Sequence, residues 1–540
     1  MTIAKRNVAL PPGSTAVRRR RRSISIRAVT VQDLPNEILA EVFMHAIADD
    51  RQKVFPKSED SLRSRHDVLL NIMLTCRKWK AVALAAPRLW DTVYIRKETR
   101  ILVIQRFIER SKAIDLKLYM RLKTARTLAV VSQYAPRLIE LHLWLKKVDV
   151  HTVVESMDFA VPRLQRLTLH LSSVTVAAPG IELPRRFLSS ISALRELRLS
   201  PYPGLVPRGH CTRLTRLCLS TGPCPATGGM SILDILDILE ENPGLEELEL
   251  GLKLYGAATE IVRLVQLPRL RLLSLREFMG DKLPVILAHI GLPEEAHCLI
   301  CHAQGIWDNL STSFPQDVSH LRNLQQVTRI QISYSEDAIL QVIAASDRDR
   351  SSFWYDTGDA YDLEVYAQDS VHFSTLFTLP ILFPAGQLSE LWIAFPEYDQ
   401  VLPAKKWQQI LEPMQSLCAL NVIQPKQEQL VEALAMRCGG GKRLCCQQLR
   451  HLGLSDRGSL QLRRVKKVLR QRREGSCPLT SLWLFSLDHP RVPAANIQLT
   501  EELGEFVHVR ITVDDAWPTM RLPQIYEDRF IEEFDLEPLY

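Results

Sequence analysis

One six-residue pattern, L-x-x-L-x-L, returns along most of this 540-residue chain. It reads LIELHL from Leu138, LQRLTL from Leu164, LRELRL from Leu194, LTRLCL from Leu214, LEELEL from Leu245 and LRLLSL from Leu270. VTRIQI from Val327, LSELWI from Leu388, LCALNV from Leu417, LRHLGL from Leu449 and LTSLWL from Leu479 continue it. Weaker copies start at Ala113, Ala296, Ala360 and Phe506. From 113 to 506 the pattern advances 393 residues in 14 intervals, about 28 per repeat, with spacings of 20 to 33. A unit of that length cannot bury its own apolar face, so successive units must stack. The closing L-x-L alternates as a strand does, leucines to one face and the intervening residues to the other. Between copies lie helical segments such as SILDILDILEENPGL, Ser231 to Leu245, where Ile232, Ile235, Leu236 and Leu239 share a face. The expected fold class is α/β, with an irregular stack of parallel strands backed by helices.

Over roughly residues 100–513 the pattern resembles leucine-rich repeats. The resemblance implies a solenoid with strands on its concave face and helices on its convex face; a fold of this kind names no ligand. Outward positions on the strands include Glu140, His142 and Trp144 in one copy, and Asp362, Glu364 and Tyr366 in another. Trp392, and then Trp483 and Phe485, fall in later copies. Aromatic side chains on an open strand array are candidate hot spots for a protein ligand. Trp144, Tyr366, Trp392 and Trp483 are the candidates here, the alternative being that they pack on one another or under loops. Outward charges of mixed sign do not favour a nucleic acid.

The front of the chain is different. In VQDLPNEILAEVF, Val31 to Phe43, Pro35 suits a first helical turn and Asp33 can cap free amides. Ile38 and Val42 are four apart, as are Leu39 and Phe43, so the apolar surface is wider than one stripe. The charged stretch Asp49 to His66 reads as a loop. A second helix is expected over Asp67–Ala85, with Ile72, Cys76, Trp79 and Ala83 at helical spacing and Pro87 ending it before Leu89 and Trp90. So few short helices have little capacity to bury their own surface and should dock on a neighbour.

Leu34-Pro35-x-Glu37-Ile38-Leu39, then Val42-Phe43, Cys76-Arg77-x-Trp79 and Pro87-x-Leu89-Trp90 together resemble the F-box motif, most of all the fungal F-box-like type. The long 49–66 segment departs from that pattern. The resemblance implies docking on a Skp-type adaptor and, through it, a cullin–RING ubiquitin ligase. Carried over from the motif, Leu34, Pro35, Ile38, Leu39, Val42, Phe43 and Trp79 are the adaptor-contact candidates.

Four regions follow: a basic disordered arm at 1–30, an F-box-like helical domain at 31–95, the repeat region at 96–513 and an acidic tail at 514–540. Residues 1–32 hold eight of the 68 basic residues and no acid, leaving 60 basic against 61 acidic elsewhere. The basic character therefore belongs to the arm. It reads as a solvated segment, with Arg18–Arg22 open as an import signal and a mitochondrial presequence disfavoured by Pro11-Pro12-Gly13. Eleven scattered cysteines suit a reducing, cytoplasmic or nuclear setting. No apolar run approaches the length that spans a bilayer.

HCLICH, His297 to His302, contains C-x-x-C-H. In the repeat register Ala296, Leu299 and Cys301 fall inward, so Cys298 and Cys301 face opposite sides and cannot share a metal or haem. RCGGGKRLCC, Arg437 to Cys446, lacks the offsets of a phosphate loop. LRRVKKVLRQRR, Leu462 to Arg473, reads as an outer repeat helix with Leu462, Val465 and Leu469 inward. No nucleophile–base signature is found, and no cofactor or metal is expected. The tail, with Trp517, Ile525, Tyr526, Phe530 and Phe534, is expected to cap the last repeat. The expected role is a non-catalytic substrate receptor of a ubiquitin ligase that holds a protein substrate on its repeats. A scaffold whose front helices only cap the solenoid is the alternative. An enzyme is a third reading, and it would need a deep pocket of converging titratable groups.

Overall fold

The computed structural model describes residues 30–513 and Met520. It excludes 49–58, 96–98, 123–125, 146–149, 172–182, 201–208, 221–229, 252–253, 256–262, 277–281, 302–309, 335–339, 358–370, 396–400, 425, 439–442, 456–461, 487–500 and 514–519. The basic arm before Thr30, the copy at Ala360 with Asp362, Glu364 and Tyr366, and the tail apart from Met520 lie outside the described residues.

Among the described residues three helices come first: α1 (Asn36–Ala48), α2 (Glu59–Thr75) and α3 (Arg77–Ala85). Pro35 precedes α1, and its carbonyl accepts from Leu39 N–H at 3.0 Å. Asp33 serves a nearer amide than those of α1. Its carboxylate accepts from the N–H and the hydroxyl of Thr30, each at 2.8 Å, and closes the turn Val31–Asp33. The stretch expected as a loop through His66 turns helical at Glu59. The single helix expected over Asp67–Ala85 is two, because Cys76 is extended (φ −159°, ψ 168°) and its Sγ accepts Trp79 N–H at 3.4 Å. A thiol thus takes the capping role usually held by a short polar side chain.

Among the described residues from Thr92 onward, one mostly parallel sheet holds 17 strands. Its first strand, Thr92–Ile95, falls inside the segment expected to be helical and pairs with Leu116–Leu122. Seven more strands stack in parallel: Leu138–Leu145, Arg166–Leu171, Glu196–Ser200, Arg216–Ser220, Glu247–Gly251, Leu272–Arg276 and His297–Cys301. There the order breaks. Next in space come Ser352–Asp356, Leu340–Ala345 and Arg329–Tyr334, the middle one antiparallel to both neighbours. Parallel stacking resumes through Glu390–Ala394, Ala419–Ile423, His451–Ser455, Ser481–Ser486 and His508–Val513. The chain therefore steps past two places in the sheet and fills them by doubling back. Nothing in LQVIAA or SFWYD carries the leucine pattern, so the repeat spacing gave no sign of them.

The strand leucines face one side, and the helices cover it. Leu141 and Leu143 join Leu248 and Leu250 in one continuous core with Ile235, Leu236 and Leu239 of helix Ile232–Glu241. This arrangement is compatible with a solenoid. The copy at Ala296 sits one residue out of the expected register. Cys298 pairs with Leu273, so Cys298 and Ile300 face the core, while Leu299 and Cys301 face the opposite side. A one-residue slip exchanges the faces of a strand. Cys298 and Cys301 still point apart, and no metal-holding cluster occurs among the described residues.

Two polar devices hold the stack. On the opposite face, Lys117, Glu140, Arg166 and Glu196 occupy one register row across four adjacent strands. Lys117–Glu140 (2.9 Å), Arg166–Glu140 (3.2 Å) and Arg166–Glu196 (2.9 Å) link each strand to the next. Burial alone would raise the Glu140 carboxyl; His142 at 3.7 Å, Lys117 and Arg166 reverse that and bring it to about 2. The second device is in helix Leu462–Glu474, where Leu462, Val465 and Leu469 face inward as expected and Arg472 does too. Fully buried, its guanidinium donates to the carbonyls of Leu434 (3.2 Å), Cys445 (2.8 Å) and Cys446 (2.7 Å).

Arg472→Leu takes a donor from three buried carbonyls, of which only Cys446 O keeps another in Leu449 N–H at 3.0 Å, and a loss of roughly 2–5 kcal/mol is expected in urea unfolding. Arg472→Lys, a point charge without the planar fork, should restore little of it. Acid should also weaken the fold in order. Burial lowers the pKa of His142, so its neutral form is favoured and stability falls as pH drops below the ordinary histidine value. The Glu140 contribution is present above the ordinary carboxylate value near 4.5 and is lost as pH falls toward about 2. Glu140→Gln should flatten that lower limb in a pH series of unfolding midpoints.

Candidate functional site

Two surfaces have the chemistry of protein docking. The first is on the front helices. Their own core takes Leu39, Phe43, Ile47, Leu69, Ile72, Val82, Ala83, Leu89 and Trp90. Leu39 and Phe43, expected at an adaptor, are 0% and 1% exposed, so their side chains are spent on this core. Leu34 is half-buried, its carbonyl accepting from Lys78 Nζ at 2.8 Å. Trp79 is half-buried against Phe43, ring centroids 5.0 Å apart. Pro35 is exposed, as are Ile38 and Val42, each 49%. The sequence reading missed Leu70 and Leu74 on α2, which are 47% and 80% exposed. The signal was there: VLLNIML, Val68 to Leu74, holds more large apolar residues than one inward stripe can use. Helices α1 and α2 thus each leave an apolar pair four residues apart exposed. Covering a half-exposed side chain of this size gains roughly 1 kcal/mol, and Leu74 more.

The front helices are also tied to the sheet. Trp90 is fully buried, with Nε1 donating to Ala83 O at 2.8 Å. Its ring meets Phe107 of α4 (Ile101–Arg110) at 4.9 Å and lies under Arg110 at 4.6 Å. Phe107 packs against both the helical core and the sheet core.

The second surface is the face of the sheet opposite the helices. One register row crosses it from Tyr119 through His142, Thr168, Arg198, Cys218, Glu249 and Ser274 to Leu299. The row continues through Trp354, Ile343, Gln331, Trp392, Asn421 and Gly453 to Trp483. Its first half is polar or charged and its middle is apolar. His142 stacks on Tyr119 at 4.4 Å, and Trp144 lies 6.3 Å from His142. Trp144 is half-buried in that stack, whereas Trp392 is buried. Trp483 meets Trp392 edge-on at 6.4 Å and Phe485 at 4.4 Å. Gly453 lets these groups close up, since a Cβ there would stand 2.2 Å from Asn421 Oδ1 and 2.8 Å from Phe485 Cε2. Three of the four aromatics chosen from sequence thus lie on one face, separated into two groups. Tyr366 lies outside the described residues.

Of the tail expected to cap the last repeat, Met520 alone is described. Met520 is buried with Leu299, Cys301, Ile343, Ala345, Trp354 and Trp392, and Trp483 packs against the same cluster. No helix among the described residues is long and apolar enough to cross a membrane.

The family model of F-box-like domains matches residues 31–96, the segment that forms these front helices and the first strand. The match supports an F-box protein, and such a domain suggests a Skp-type adaptor as its partner. No curated protein matches the chain.

The two kinds of apolar position on α1 should separate in experiment. Leu39→Ala is expected to lower unfolding stability by about 2–5 kcal/mol. Ile38→Asp or Leu74→Asp should cost no more than about 1 kcal/mol, since Ile38 is half exposed and Leu74 mostly so, and an acid in the last turn of α2 opposes its dipole only modestly. Denaturant titration of the three variants checks this.

Proposed function

We propose that the chain is the substrate-receptor subunit of an SCF-type cullin–RING ubiquitin ligase, acting in the cytoplasm or nucleus. The front helices hold the Skp-type adaptor, and the sheet, read as a leucine-rich-repeat solenoid, holds a protein substrate. The observation that carries the reading is the F-box-like match over 31–96 on helices that leave Ile38, Val42, Leu70 and Leu74 uncovered. The chain itself makes and breaks no covalent bond. Its contribution is proximity, raising the effective concentration of substrate lysines at the ubiquitin-loaded enzyme.

A non-ligase scaffold is the second reading, favoured by the seam of Trp90, Phe107 and Arg110 that fixes the helices to the sheet. Co-purification with a Skp-type adaptor decides between them. The wild-type chain should capture the adaptor. Leu34→Ala with Pro35→Ala, and separately Ile38→Asp with Leu74→Asp, should lose at least tenfold in affinity with the circular dichroism unchanged. A wild-type chain that captures no adaptor would favour the scaffold.

A further inference from the structure

Met520 stands 189 residues along the chain from Gln331, yet its backbone N–H donates to Gln331 Oε1 at 2.7 Å. Its side chain is 3% exposed. The site it fills has the features of a peptide pocket. Gln331 is itself buried at the centre of the face, between Ile343 and Trp392 in the register row. The contact to a main-chain amide is one that any non-proline residue can make, so it holds the backbone and leaves side-chain choice to the walls.

Those walls are apolar where the first half of the face is polar or charged. Leu299, Ile343, Trp354 and Trp392 stand in the same row as Arg198 and Glu249. The indole N–H groups are already engaged: Trp354 with Asp356 at 3.0 Å, Trp392 with Glu390, and Trp483 with Thr512 at 2.7 Å. What remains to offer a ligand is ring surface. A methionine fits such surface well, being unbranched, flexible and able to set a polarizable sulfur against aromatic rings. The core on the helix side does not need these side chains, because they point away from it.

We propose that this patch is a docking site for an extended peptide segment of a partner protein carrying methionine, and that Met520 occupies it in cis as a tethered competitor. This rests on reading the sheet as a substrate-holding surface, and adaptor capture is scored separately. A tethered occupant acts at an effective concentration on the order of millimolar, so a free peptide of micromolar affinity is outcompeted by a factor of roughly a thousand.

The probe is a fluorescent peptide with the sequence of residues 514–526, DDAWPTMRLPQIY. It is titrated by anisotropy against the full chain, wild type and Met520→Asp, each with adaptor capture measured in parallel. The expected result is at least tenfold tighter binding to Met520→Asp than to wild type. Adding Gln331→Ala or Trp392→Ala to that variant should abolish binding, as should Met→Asp in the peptide. If Met520→Asp fails to fold, a protease site inserted after Val513 releases the tail from a folded wild-type chain, and the same gain is expected. Equal peptide binding with and without the tethered Met520 overturns the proposal, as does no binding to a folded, tail-released chain. If the peptide fails while the adaptor is still captured, the docking idea falls and the ligase reading stands. If the adaptor fails while the peptide binds, the reverse holds.

Discussion

Straight registration of neighbouring strands governs everything else in this molecule. From Tyr119 to Trp483 each strand meets the next without a change of face, so inward leucines stay inward. Since strand side chains alternate with a period of two, a slip of one residue would turn a strand's leucines outward. The leucine core enforces the register from one side. The ladder of Lys117, Glu140, Arg166 and Glu196 supports it from the other, where opposite charges face each other across adjacent strands. Stability in such a stack is shared among neighbours, so the ends and the breaks are where other chemistry enters.

Both places in this chain follow that logic. At the beginning, the first strand is preceded by helices whose core is joined to the sheet through Trp90 and Phe107. Their remaining apolar surface faces water. In the middle, two strands enter in an order that parallel stacking cannot produce, and the antiparallel Leu340–Ala345 brings Ile343 and Ala345 to the face where other strands carry charge. The polar half of that face is internally paired and suits water. The apolar half needs cover, and Met520 gives it some.

The sequence made the stack legible because its signal is redundant: many copies of one pattern each report the same inward positions. Helix Ile232–Glu241 and the outer helix at Leu462 were readable for a similar reason, their apolar residues recurring at helical spacing. The front helices were readable in kind but less so in orientation. Leu39 and Phe43 belong to one apolar pair and Ile38 and Val42 to the adjoining one; spacing shows that both exist without showing which is buried. Leu70 and Leu74 lie outside the F-box pattern, and their spacing alone does not say which face of α2 is covered.

By itself, then, the sequence determined the class of fold, the inward face of nearly every repeat and the presence of an F-box-like front, since each depends on local periodicity. Tertiary structure alone decided the break at Cys76, the reversed order of three strands, the face of the Ala296 copy, the burial of Arg472 and the position of Met520. The Cys76 break turns on Trp79, three residues on, but the others turn on partners distant in the chain: Gln331 for Met520, three carbonyls for Arg472, the Leu272–Arg276 strand for Cys298. Periodicity records which way a side chain points along its own element. It carries no information about which remote group will be there to meet it.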